Sequence, residues 1–150
     1  MEEVESGVPL ENVFQRIVEE ARLRAEKAEE EEGAFSSLKE WVVIACNTGE
    51  DSDLMRIEDL LPKIKSSSQR PMAKRLLVKA LAKSGHLEDA RTMAGNIRNS
   101  YWRAEAWLEV HNVSNDPSDL RAAEEAAKLI EASEAREEVL AQIRAAKHKK

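Results

Sequence analysis

Arg75, Lys79 and Lys83 stand four residues apart, inside a stretch from residue 60 to 87 that carries seven basic side chains and no acidic one. On an α-helix this spacing puts the three on one stripe. Guanidinium and ammonium heads so aligned can pair with carboxylates or with phosphates. Arg70 and Lys74 belong to the same basic island. Little else in the chain is fitted for chemistry. His86, His111 and His148 lie far apart, with no cluster at zinc-ligand spacing. There is no glycine-rich phosphate loop and no nucleophile elbow. Cys46 closes the apolar run Trp41-Val42-Val43-Ile44-Ala45, the setting of an inert thiol. The sequence predicts a non-catalytic protein with no metal and no cofactor.

The island must be positioned by helices. Four prolines, five glycines and abundant Ala, Leu, Glu, Lys and Arg specify an all-α chain. Ala73, Leu77, Ala80 and Leu81 fall three and four apart, one face of a helix that ends at Ser84-Gly85. Leu87, Ala90, Met93, Ala94 and Ile97 form a second such face, so residues 70 to 97 read as a helical hairpin. The pattern recurs every 33 residues at Leu54, Leu87 and Leu120, at Ile57, Ala90 and Ala123, and at Ile64, Ile97 and Ile130. Ile44, Leu77, Val110 and Ile143 keep the interval on the other helix, as do Arg70, Arg103 and Arg136. Trp41 and Trp107, and Phe35 and Tyr101, are two periods apart. Several series sharing one period mark a repeat.

The segment Ala73-x3-Leu77-x3-Leu81-x3-Gly85-x-Leu87-x2-Ala90 resembles the tetratricopeptide repeat, in a divergent form with a 33-residue period. The resemblance spans roughly residues 34 to 147. It implies a right-handed α-α superhelix of about three hairpin repeats with capping helices, about eight helices in all. It also implies that the first helix of each hairpin lines a concave groove. There Arg75 and Lys79 match positions where some members hold a ligand's terminal carboxylate, and Asn112 follows Lys79 by one repeat. Leu108, one repeat after Arg75, is apolar, so a strict carboxylate clamp is not expected.

Residues 1–8 read as a disordered N-terminus, 9–147 as one helical-repeat domain and 148–150 as a frayed basic tail. A first helix from about Pro9 to Glu32 fits the 33-residue register poorly and reads as a cap. A third helix is expected to run to about Lys65, kinked or shortened by Pro62. No apolar run is long enough to cross a membrane. MEEVESGVPL lacks the basic and apolar regions of a signal peptide, and one cysteine cannot form an internal disulfide. These features predict a cytoplasmic protein without a membrane partner.

The expected function is a protein–protein interaction module, a scaffold or adaptor. Its basic groove would take an acidic peptide at Arg75, Lys79 and Lys83, with Asn112, Arg70 and Lys74 secondary. Three alternatives stand beside it: a nucleic-acid-associated factor using the same patch, a homo-oligomer joined through an uncovered end helix, and an ordinary solvated face neutralised by the acidic first helix.

Overall fold

The computed structural model describes residues 9–149. The N-terminal segment 1–8 and Lys150 lie outside the described residues. Eight α-helices follow one another: α1 Leu10–Glu32, α2 Ala34–Thr48, α3 Asp51–Leu60, α4 Gln69–Lys83, α5 Leu87–Gly95, α6 Ser100–Ser114, α7 Pro117–Lys128 and α8 Ser133–Lys147. No strand occurs among the described residues, and no helix there is long and apolar enough to cross a membrane.

Local chemistry sets most boundaries. Pro9 precedes α1, and Gly33 alone separates α1 from α2 with φ +105°. Asn99 caps α6 by accepting from the Trp102 N–H, and Asp116 caps α7 through the Ser118 N–H. The same Ser118 N–H and hydroxyl hold the Asp116 carboxyl below its ordinary pKa. Pro62 shortens the third helix: α3 stops at Leu60, and Leu61–Lys63 form a 3-10 turn before Ile64 returns to the core.

Three hairpins, α2–α3, α4–α5 and α6–α7, pack in series through their first helices, α2 on α4, α4 on α6 and α6 on α8. Small residues allow the approach: Ala73 and Ala80 in α4 and Ala104 and Ala106 in α6 are fully buried. The apolar interior forms two clusters. One spans α1 to α6, the other α6 to α8, and Trp107 packs against both. Ile64, Ile97 and Ile130 are buried at the end of each hairpin. Six residues after two of them, Arg103 donates to the Ile97 carbonyl and Arg136 to the Ile130 carbonyl, both at 2.9 Å. These arginines satisfy carbonyls left open at the end of the preceding hairpin.

The second helices behave differently. α3 and α5 do not approach each other by backbone, nor do α5 and α7, nor α1 and α3. Side chains bridge the gaps instead. Arg22 of α1 donates to both oxygens of Asp53 in α3, Nε at 2.9 Å and Nη2 at 2.8 Å. Arg91 of α5 grips Asp119 of α7 in the same way, both bonds at 2.9 Å. Each carboxylate is almost wholly buried, at 1% and 2% exposure. Each also accepts a hydroxyl at 2.6 Å, from Thr48 or Ser114, in the turn before its helix. Both turns contain a left-handed residue, Gly49 or Asn115. Hydrogen bonding to the buried aspartates raises the pKa of both guanidinium groups further.

This clasp exposes a second periodicity. Thr48-Gly49-x3-Asp53-Leu54 recurs as Ser114-Asn115-x3-Asp119-Leu120, 66 residues on. Val18, Ala21, Arg22, Ala25 and Ala28 of α1 recur as Leu87, Ala90, Arg91, Ala94 and Ile97 of α5, 69 residues on. Buried Ala73 and Leu77 of α4 recur as buried Val139 and Ile143 of α8. The helix expected as a cap therefore sits on α2 as α5 sits on α6, and α1–α4 and α5–α8 are two versions of one four-helix unit. The middle junction lacks the clasp. In the 33-residue register Glu58 stands where Arg22 and Arg91 do, and His86 where the aspartates do. His86 bonds instead to Asp51 at 3.0 Å.

Replacing Asp53 with Ala strands the Arg22 head and the Thr48 hydroxyl and should cost about 2 kcal/mol of unfolding free energy. Asp89 occupies the matching place in Ser84-Gly85-x3-Asp89 but is exposed. Its replacement by Ala should change stability by less than about 0.5 kcal/mol. Urea denaturation of the two variants measures the contrast.

Candidate functional site

The surface formed by α2, α4, α6 and α8 collects the charged groups of interest. On α4, Lys79 and Lys83 lie close enough to Cys46 of α2 to act on its thiol, as does Glu109 of α6 from the other side. Burial outweighs the two lysines and pushes the thiol pKa up, so Cys46 is a poorer nucleophile than a free thiol. Lys39 of α2 lies over the Phe35 ring, 4.9 Å from its centroid, and adds a third ammonium on that side. Among the described residues neither Lys79 nor Lys83 forms an ion pair.

Arg75 is differently placed. Its Nη2 lies 2.7 Å from Oε2 of Glu109, which is itself largely buried. The first member of the predicted basic triad is thus engaged within the chain. The pairing was hidden in the sequence because the partners lie on different hairpins, 34 residues apart. Glu105 sits one turn before Glu109 and also feels Arg75 and Glu138, with Gln142 hydrogen-bonded to it. Tyr101 neighbours the same group, and its phenol pKa is raised by burial, then by Glu105 and Glu138. The surface is consequently bipolar: lysines over α2 and α4, carboxylates over α6 and α8, with the Arg75–Glu109 pair at the seam.

The other predicted residues scatter. Asn112 lines a separate open groove between α6, the start of α7 and the end of α8. Lys74 and Arg70 are one turn apart on a different stripe of α4, nearly opposite Lys79 by helical geometry. Arg70 is exposed. Its repeat counterparts Arg103 and Arg136 serve as carbonyl donors, a structural use. Trp41 is buried with Arg56 stacked over its ring at 5.1 Å, and Tyr101 meets Trp102 edge to face at 4.9 Å. Among the described residues no group of three or more His, Cys, Asp or Glu could hold a metal ion.

Sequence reading missed the Asn112 groove and the acidic side of the bipolar surface. The groove left no motif. The acidic side did leave a signal: Glu105, Glu109 and Asn112 are spaced along α6 as Met72, Leu76 and Lys79 are along α4, one repeat earlier.

Glu105 gives a test with a sign. Burial raises its pKa from 4.5, overcoming the opposing pull of Arg75. A carboxyl raised in the folded state adds stability when protonated, and that stability is lost as pH rises through the raised value. Glu105→Gln keeps the site neutral. It should raise the urea midpoint at about pH 7 and leave it nearly unchanged near about pH 4, where the wild-type carboxyl is protonated. Chemical denaturation at the two pH values reads the difference.

Comparison with protein-family models, with curated proteins and with solved structures gives no match, so the groove's own residues are the ground for any function.

Proposed function

We propose that the chain is a non-catalytic, tetratricopeptide-like interaction module whose stacked hairpins form a right-handed superhelix. Its first-helix surface holds an acidic peptide of a partner protein. The supporting observation is the pair Lys79 and Lys83, standing beside half-buried Cys46 while Arg75 is held by Glu109. Ammonium groups against an apolar wall are less screened than on open surface, so their charge is available to a ligand. The Glu105, Glu109 and Glu138 side repels an acidic segment and favours a basic one. A bound peptide is therefore oriented, acidic residues over α4 and neutral or basic residues toward α8. The helices arrive preformed, so binding needs little ordering of the receptor.

The test uses a fluorescent peptide with an acidic half and a basic half, and its sequence-reversed form. Fluorescence anisotropy should show tighter binding of one direction. Lys79→Glu with Lys83→Glu should weaken it by about tenfold or more. Arg75 is left intact, because charge reversal there would break the pair with Glu109. Equal binding of both directions, or no effect of the double variant, would overturn the reading. Binding of a mixed-sequence oligonucleotide, lost steeply with salt, would favour phosphate recognition instead.

A further inference from the structure

The four-helix duplication leaves two surfaces without a counterpart. α5 covers α4 in the middle of the chain. α1 is the register equivalent of α5, and α8 that of α4. Among the described residues nothing covers α8 as α5 covers α4.

The end of α8 departs from α4 in one direction. Buried Val78, Leu81 and Ala82 of α4 become exposed Arg144, Lys147 and His148. Beside them opens the groove that contains Asn112, about 1040 Å³, with Leu108, Leu120, Ala145 and Ala146 among its lining. No acidic residue lines it, and Lys147 and Lys149 do. Lys147 also reaches Glu124 at 3.4 Å. His111 lines the groove where the first unit has buried Ala45, and its Nδ1 is buried without a hydrogen-bond partner.

The beginning of α1 has the complementary character. Val18 is the first residue of α1 to join the core. Ahead of it Leu10, Phe14 and Ile17 form one stripe, exposed at 72%, 51% and 59%. Scattered exposed apolar residues are ordinary, but an apolar stripe on one helix face marks an interaction surface. Its neighbours in sequence are acidic: Glu2, Glu3, Glu5 and Glu11 against Arg16 alone.

The register brings the two together. At the α4–α5 junction His86 bonds to Asp51, and the Ser84 hydroxyl reaches the Ala45 carbonyl at 3.5 Å. The counterparts of His86 and Ser84 are Ile17 and Gln15, and those of Asp51 and Ala45 are Pro117 and His111. An α1 laid on α8 as α5 lies on α4 thus carries the Phe14–Ile17 stripe to Pro117 and His111, at the groove.

We propose that this protein assembles head to tail: the leading half of α1 from one copy occupies the α6–α7–α8 groove of the next, its acidic flank against Arg144, Lys147 and His148. The interface is heterologous, so each copy offers both an α1 stripe and a groove, and assembly proceeds beyond a dimer until a ring closes or a filament grows. The lysines of the proposed peptide surface take no part.

Sedimentation velocity of the full chain over a concentration range tests this. The expected result is a mass that climbs past the dimer with concentration and falls back with added salt. A stripe variant, Phe14→Asp with Ile17→Asp, and a groove variant, Arg144→Glu with Lys147→Glu, change exposed side chains. Their fold is checked by circular dichroism. Each alone should sediment as a monomer. Mixed in equal amounts they should form a dimer and stop there, because one supplies the only intact groove and the other the only intact stripe. A wild-type monomer at every concentration would overturn the proposal. So would a dimer abolished by the stripe variant but untouched by the groove variant, which is the signature of stripe-on-stripe pairing. Failure of the two variants to complement each other would do the same.

Discussion

Two buried carboxylates, Asp53 and Asp119, hold the second-helix layer in place. The first helices meet through alanine-lined contacts, where shape and burial suffice. The second helices stand too far apart for that. Between them the only continuous link is an arginine head laid flat on an aspartate, with a threonine or serine hydroxyl on one oxygen. A buried carboxylate is costly unless each oxygen is paired, so it is stable only in this geometry. The requirement propagates backwards: the hydroxyl must arrive from the turn, the turn must pass through a left-handed residue, and the arginine must come from the helix before. One ionic contact thereby fixes a turn, a hairpin and the spacing between hairpins.

The bipolar surface follows from the same stacking. With α2, α4, α6 and α8 side by side, residues far apart in sequence share one electrostatic neighbourhood. Lys79 acts on Cys46, Arg75 on Glu109, and Glu138 on Tyr101. Charge is separated across the surface, and desolvation at Glu105 shows that part of it is shielded from water. A surface of this kind selects a partner by direction as well as by sign.

Helices, turns and the hairpin repeat were legible because they rest on local rules: apolar spacing, Gly85 at a left-handed stop, Asp116 with Pro117 at a helix start. The clasp was not, since Arg22, Asp53, Arg91 and Asp119 look like solvated charges in sequence, and nothing local reveals that the aspartates are buried. α1 concealed its kinship with α5 for a simple reason. Three extra residues before α2 shift its phase from 66 to 69, so a search at 33 and its multiples passes over it. The stripe Arg75, Lys79, Lys83 was correctly placed on one helix face, yet its first member is held by a carboxylate one repeat away. Asn112 faced a different groove because α8 diverges from α6 where α4 stays packed on α2. Each of these outcomes depends on a neighbour in space rather than in sequence.

The absence of the clasp at the middle junction has a mechanical meaning. Arg22–Asp53 and Arg91–Asp119 act as struts, stiffening the first and last thirds of the layer. Between them stand Glu58 and His86, a 3-10 turn and the serine loop 66–68. In mechanical terms the protein is two braced segments with a compliant seam. Bending strain concentrates there, so the curvature of the helical surface is adjusted at one place, while the ends move as rigid bodies.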